Sequence, residues 1–382
     1  MIRTYKYRLS PTKKQRFVLD GLFFQMQTVY NDALNQRRHE WRQSRRSITY
    51  YDQWARMRDE RRRLPEEMGL LNATSIQQML RRVDKAYRAF YKGQCGAPRF
   101  KGRNRFKSVE YRYGDGCKLT GSRLYIQHVG DVRVKLHRPI PDDAVIKQVI
   151  VKRSTGRWYV CFQLELPDPE LTVHTGPAVG IDVGLHSLLA LSDGRLVDNP
   201  HWLRASLAKL RVAQRRMARR KKFSSGWRKA ARRVAKLQER VANQRSDFWH
   251  KTTGELAKTY SMIALEDLNL SFMTRNGNLS LSAHDAALGM FRQMLSYKVE
   301  NTGSQLIAVN PRNTSQVCSG CGVIVAKSLN VRVHHCPDCG VVLDRDINAA
   351  LNILALGLSV RASTYPVGDC VALEAPPLQR GE

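Results

Sequence analysis

Read at strand period, the stretch AVGIDVGLHSLLALSDG, which begins at Ala178, places Val179, Ile181 and Val183 on one face and Gly180, Asp182 and Gly184 on the other. A carboxylate thus stands in a strand buried on both sides, between two residues without side chains. Glycine weakens a strand but lets another backbone or a ligand come close. The Ser192-Asp193-Gly194 turn signal predicts a second strand folding back on the first and a third from Arg195. A second strand of this kind is SMIALEDLNL, with Ile263 and Leu265 facing away from Ala264 and Glu266. A helix from Ala283 to Glu300 and a short strand, LIAVN, follow it. VVLDRDINAALNILALGLS then predicts a strand running into a helix, with Asp344 and Asp346 at the junction, where either could serve as an N-cap.

Upstream, IRTYKYRLS alternates as a strand, and Pro11 opens a helical pattern through Phe17, Leu22, Met26, Val29 and Leu34. A strongly charged region, HEWRQSRRS to RDERRRLPEE, precedes a second helix expected from Thr74, where Ile76, Leu80, Val83, Tyr87 and Phe90 recur. Short strands with turn punctuation from Lys118 to Pro169 predict a small antiparallel barrel or sandwich. Pro167, Pro169 and Pro177 bracket a linker, and the main domain boundary is expected there. Leu203, Leu207, Leu210 and Met217, then after Ser224-Ser225-Gly226 the residues Val234, Leu237 and Val241, predict a helical hairpin with a narrow apolar seam. The tail after Ala362 is expected to be mobile.

Charge changes this picture more than any single motif. The 382 residues carry 64 Lys+Arg against 33 Asp+Glu, a net +31, which calls for a polyanionic partner. No segment approaches the ~18 apolar residues of a spanning helix, and MIRTYKYRLSPTKKQ has no signal-peptide core, so a soluble cytoplasmic protein that binds nucleic acid, not a membrane, is expected. Hydrophobic residues at 42% suffice for packed cores in two or three domains. Between Arg204 and Arg240 the hairpin carries fifteen Lys or Arg and one acid, Glu239; repelling pairs on a helix destabilise it, so a surface laid on phosphates is expected, with Arg215, Arg216, Arg219 and Arg220 as candidate contacts. In YKGQCGAPRFKGRNRFKSVEYRY, from Tyr91 to Tyr113, cations alternate with aromatic rings, a texture that can track phosphates while stacking on bases. Arg99, Lys101 and Arg103 are the candidates there.

Cys95, Cys117, Cys161 and Cys370 are isolated, whereas Cys318, Cys321, Cys336 and Cys339 form two C-x-x-C pairs fourteen residues apart. Gly322 and Gly340 directly after each pair suit knuckle turns whose amides point at thiolates. Four soft ligands at this spacing predict a closed tetrahedral Zn2+ site that stabilises a ribbon too small to fold on core burial. The carboxylates predict different chemistry. Asp182, Glu266 and Asp346 each lie in or at the end of a predicted core strand of a strongly cationic chain, and an acid on the first strand of such a meander is an RNase H-like feature. Hard oxygen ligands beside phosphate favour Mg2+ or Mn2+, and two such ions would serve an in-line attack on a phosphodiester.

GIDVGLHSLLALSDG, ALEDLNL, NTSQVCSGCG, CPDCG and DRDINAALNI, in this order, resemble the transposon-associated TnpB nucleases, relatives of the type V CRISPR effectors. The likeness extends to YRLSPTKKQ, VYNDAL, GAPRFKGR, NQRSDFWHK and LSYKVENTG and so covers nearly the whole chain. The resemblance implies an RNA-guided DNA endonuclease: a guide RNA derived from the transposon end pairs with double-stranded target DNA beside a short transposon-adjacent motif. It implies a RuvC-type catalytic triad of Asp182, Glu266 and Asp346, with Asp346 preferred to Asp344 because it directly precedes the x-Asn-Ala-Ala run. It also implies a zinc ribbon at the four cysteines. Arg245, His250 and Lys251 in NQRSDFWHK join the nucleic-acid candidates. The expected fold class is α+β and multidomain. Residues 1–10 and 105–172 would form a wedge β-barrel and 11–104 a helical recognition lobe. Residues 176–312 and 341–361 would form the RuvC-like α/β domain, and 313–340 the ribbon. His334-His335 stands where an aromatic residue is expected, and one histidine could compete for zinc. A monomer, associated with the nucleoid through nucleic acid, is expected. Two rivals are a nuclease-inactive, RNA-guided repressor and an RNA-independent transposase or resolvase-type nuclease.

Overall fold

β1 (Ile2–Ser10) enters the middle of a sheet rather than an edge, although it begins the chain. The computed structural model describes residues 1–364 except 69–70, 103–104, 169–173, 269–270, 278 and 329, so the expected mobile tail lies almost wholly outside the described residues. Two compact units divide at Asp168. In the first, β1 is followed by α1 (Lys13–Ser44), α2 (Tyr50–Arg63), α3 (Pro65–Met68) and α4 (Ala73–Tyr91). Then come β2 (Ser108–Arg112), β3 (Cys117–Thr120), β4 (Arg123–Ile126), β5 (Gly130–Lys135), β6 (Val145–Ser154) and β7 (Arg157–Glu165). The strands form one antiparallel half-barrel sheet in the order β2-β6-β7-β1-β5-β4-β3. Where the pattern predicts a barrel or sandwich, β2 and β3 are the sheet's two edges. Leu19, Leu22, Phe23 and Met26 of α1, with Ile76, Leu80 and Val83 of α4, share the core of this unit with Tyr7, Leu9, Trp158 and Val160 of the strands.

Helix α1 starts two residues after Pro11, because Thr12 and Gln15 form a reciprocal capping box: the Gln15 amide donates to Thr12 Oγ1 at 3.3 Å and the Thr12 amide to Gln15 Oε1 at 3.0 Å. The charged stretch that shows no apolar period holds α2. That helix buries only Gln53 and Met57. Its anchor is polar: Gln53 accepts from Arg37 Nε at 2.8 Å and donates to the Ala33 carbonyl at 2.8 Å.

The second unit contains β8 (Ala178–Val183), β9 (Ser187–Leu191), β10 (Leu196–Asp198), α5 (Trp202–Ala218), α6 (Ser225–Thr259) and β11 (Met262–Glu266). It continues with α7 (Ser271–Arg275), α8 (Ser280–Ala286), α9 (Leu288–Thr302), β12 (Gln305–Val309), β13 (Val333–His335), β14 (Val342–Asp344) and α10 (Arg345–Thr364). Its main sheet runs β10-β9-β8-β11-β12, with β8, β11 and β12 parallel and β9 and β10 antiparallel. Val179, Ile181, Ile263 and Leu265 face Trp249 and Leu256 of α6 and Phe291, Leu295 and Val299 of α9. Met262 and Ala264 on the opposite face meet Ile353 and Leu354 of α10. The single helix expected from Ala283 to Glu300 is broken at Ala287, whose φ of 54° is left-handed. The buried Trp249 indole donates to the Ala286 carbonyl at this break, at 3.0 Å. No described helix is long and apolar enough to cross a membrane.

Candidate metal centres

Two clusters of metal-ligating side chains lie in the second unit. Register between the parallel strands pairs Ile181 with Leu265, so Asp182 and Glu266 are neighbours at the carboxyl ends of β8 and β11, the end where open α/β sheets bind ligands. The third acid arrives on α10. A β-carbon at Gly180 would lie 2.1 Å from the Ala350 carbonyl oxygen and 2.4 Å from the Leu354 amide. It is therefore another backbone, not a ligand, that the missing side chain admits. Gly357 sits as tightly, where a β-carbon would fall 2.5 Å from Ala264 Cβ. These contacts lay the helix along β8 and β11 and bring its first turn, with Asp346, to the two strand carboxylates.

Asp344 and Asp346 divide the roles that the sequence left open between them. Asp344 Oδ1 accepts from the amides of Asp346 at 2.8 Å and Ile347 at 3.3 Å and so caps the helix. Asp346 is left for the acid cluster, with Arg332 Nη1 3.5 Å from its Oδ1. Burial first, and then the nearby Glu266 and Asp346, push the Asp182 carboxyl up to about 7. Burial also raises Glu266, against the hydrogen bond it accepts from the Thr314 hydroxyl. Among the described residues the four cysteines alone place three or more ligand atoms within 4.8 Å of one another, so the three carboxylates stand more openly. Their hard, anionic oxygens fit Mg2+ or Mn2+ and do not fit a soft ion.

The four thiols form the second cluster. Cys318 and Cys339 sulfurs lie 3.6 Å apart and those of Cys321 and Cys336 3.5 Å apart. A tetrahedron with Zn–S bonds of about 2.3 Å has edges of about 3.8 Å, so the donor set fits Zn2+. Gly322 and Gly340 take φ of 81° and 73°, turning the chain so that the Val323 amide donates to Cys321, those of Cys339 and Asp338 to Cys336, and that of Val341 to Cys339. His334 stands outside the cluster: it is buried, and its Nδ1 meets Lys327 Nζ. Asn348 and Asn352 of α10 hold the ribbon's first knuckle. Asn352 donates to the carbonyls of Thr314 and Val317 at 2.9 and 2.8 Å, Asn348 donates to Val317 at 2.8 Å, and Asn348 accepts from the Ser319 amide at 2.9 Å.

The basic candidates separate by location. Arg215 and Arg216 are exposed at the end of α5 and Arg219 and Arg220 in the turn after it, near the seam of Leu210, Ala213 and Val234. Arg99 is exposed, and Arg103 lies outside the described residues. Lys101 is turned inward, with its Nζ 4.3 Å from the Tyr30 ring centre, and burial lowers its pKa. Arg245, expected at phosphate, is paired in the interior: its Nη2 lies 3.0 Å from Asp285 Oδ1, and the same carboxylate accepts from the first amides of α5, Leu203 at 2.8 Å and Arg204 at 3.1 Å. Asp285 thus fixes the foot of the hairpin. His250 Nδ1 is 3.4 Å from the Tyr297 hydroxyl, and Lys251 pairs with Asp247 at 2.8 Å on the surface. Thr314, Arg332, Asn348 and Asn352 are site neighbours that the sequence did not single out: Thr314, Asn348 and Asn352 lie inside the NTSQVCSGCG and DRDINAALNI motifs, and Arg332 lies outside them.

Comparison with known proteins bears on the whole chain. Residues 161–277 match a family model described as "Probable transposase", residues 289–353 one described as "Cas12f1-like, TNB domain" and residues 1–46 one described as "Helix-turn-helix domain". The last of these stretches folds as β1 and the single helix α1. The chain is 35% identical over 370 residues to a "Putative RNA-guided DNA endonuclease" of Streptomyces pristinaespiralis, covering 94% of this chain and 90% of that one. It is 31% identical over 382 residues to "Putative RNA-guided DNA endonuclease InsQ" of Escherichia coli K12, covering 94% of each. Among solved structures it resembles the protein of a Cas12f1-sgRNA-target DNA complex, with a TM-score of 0.59 at 15% identity over 89% of this chain and 82% of that one. The chain belongs to the TnpB family of transposon-encoded proteins.

Proposed function

We propose that this protein is an RNA-guided DNA endonuclease that cuts target DNA, next to a short adjacent motif, at a RuvC-type site made of Asp182, Glu266 and Asp346. The observation that carries the reading is the meeting of three acids from distant parts of a cationic chain at the carboxyl end of an RNase H-like sheet. Relatives that match nearly end to end bear the name of that activity. The half-barrel would serve as the wedge and α1 to α4 as the recognition lobe, while the ribbon holds structural Zn2+. Presence of all three acids speaks against a binding-only repressor.

Asp182, Glu266 and Asp346 would hold Mg2+ or Mn2+, which when bound supplies an activated water and stabilises the leaving oxygen. The chain's own groups prepare that place. Thr314 holds one Glu266 oxygen, so the other is free to turn to a cation. Arg332 partly balances Asp346 while the acids wait. Exposed cations of the hairpin supply backbone contacts to guide and heteroduplex, and base pairing supplies most of the choice of sequence.

Plasmid cleavage tests this directly. Protein loaded with its guide should cut a matched plasmid in Mg2+, and Asp182→Ala or Glu266→Ala should lower the rate at least a thousandfold while retaining RNA. Undiminished cutting by either variant would overturn the site, and equal cutting of an unmatched plasmid would overturn the guided reading.

A further inference from the structure

The tip of the α5–α6 hairpin keeps a side chain that its backbone disfavours. Phe223 has φ of 67°, in the left-handed region where a β-carbon is costly and glycine is the ordinary occupant. Its ring is 59% exposed, so burial does not explain its presence. The ring meets Trp227 edge-on with centroids 5.5 Å apart, and Lys222 Nζ lies 5.3 Å from its centre. Trp227 is fixed in turn because its amide donates to Ser224 Oγ at 3.1 Å, capping α6. Arg216 of α5, Arg220 in the turn after it, and Lys229 and Arg233 of α6 line a cleft of about 240 Å3 together with Gly226, the residue before Trp227. Gly226 makes room for it, since a β-carbon there would come within 2.6 Å of Arg220 Nη1. An exposed aromatic ring with Lys222 beside it, next along the chain to a cleft lined by four cations, has the chemistry of a stacked base with a neighbouring phosphate.

We propose that the hairpin tip binds an unpaired base of the guide RNA, stacked on Phe223, with the neighbouring phosphates seated in the Arg216–Arg220–Lys229–Arg233 cleft. The inference rests on the reading that the chain carries a guide. The guide strand offers folded loops and ends whose ring faces stay free in the loaded protein, whereas target duplex buries its bases until it is opened; the displaced DNA strand is the competing ligand that the DNA probe below separates.

The test uses the full chain and three probes: a stem-loop RNA with an unpaired flank, the same RNA cut back to a blunt stem, and the flanked sequence as DNA. Phe223→Gly removes the ring and relaxes the backbone, so its melting temperature should equal or exceed that of the parent. It should weaken the flanked RNA about fivefold or more, leave the blunt stem unchanged, and leave the salt slope of binding unchanged. Arg220→Gln with Arg233→Gln should instead lower that slope by about two, the mark of lost phosphate contacts. Equal loss on flanked and blunt RNA, no loss on either, or loss confined to DNA would each overturn the proposal. Guided plasmid cutting by the parent protein is scored separately, so failure of the endonuclease reading cannot be confused with failure at the tip.

Discussion

The thiol cluster and the carboxylate cluster are both gatherings of side chains suited to hold a metal, yet the fold builds them in opposite ways. The thiols come from within 22 residues, on two turns of the same kind, and each turn brings its own amides to the sulfurs. The acids lie at least 80 residues apart in sequence and are joined by strand register and by a helix pressed onto a glycine. The thiols lie within 4.8 Å of one another, while the acids stay more open, and Glu266 and Asp346 add to the burial that raises the proton affinity of Asp182. A local cluster can be assembled by its ion. A distributed one must be assembled by packing before the ion arrives, against the repulsion of its own charges.

That contrast is broken most severely at the ribbon. Cys336→Ser should reduce bound zinc from about one per chain to near none, by metal analysis, because structural zinc contributes on the order of 10 kcal/mol to such folds. Limited proteolysis should then open residues 316–340 while the main sheet stays protected. A ribbon that remained protected would show that its fold does not depend on metal.

At the acid cluster the expected effect is smaller and opposite in sign. The Asp182 carboxyl is raised from 3.8 to about 7 in the folded chain, so the unfolded chain loses that proton first as pH rises. Folded stability in Mg2+-free buffer should therefore fall between about pH 4 and pH 7, by on the order of 4 kcal/mol, and stay level above. Asp182→Asn should remove most of this loss. Thermal melts of both proteins from about pH 4 to 8 measure it, and parallel curves would mean that burial and the neighbouring acids do not raise the Asp182 carboxyl.

The finest probe is Thr314→Val, which keeps the side chain's shape and deletes the hydroxyl that donates to Glu266. Guided cleavage should slow about tenfold with RNA binding unaltered. An unchanged rate would assign Thr314 to the loop alone, through its bond to the Pro311 carbonyl.

These differences also govern what could be read before the fold was known. The ribbon is legible from spacing because its chemistry is local. The strand faces around Asp182 and Glu266 are legible because period two survives in AVGIDV and MIALE. Helix α2 is hidden because it docks through Gln53, which leaves no apolar period to follow. The break at Ala287 is hidden because no glycine or proline announces it; a distant tryptophan meets the carbonyl just before it. Arg245 and Lys101 mislead because a long cation reads as surface, whereas one finds Asp285 and the other rests on Tyr30. Whether Asp344 or Asp346 caps the last helix needed coordinates, since two residues of spacing allow both.

The hydrogen atom that serves Gly180 as a side chain acts as a spacer gauge. Anything larger would lift the last helix off the sheet by the width of a methyl group and carry Asp346 away with it. Evolution can therefore displace Asp346 without touching an acid, by one added carbon two residues before Asp182 on the same face of the strand.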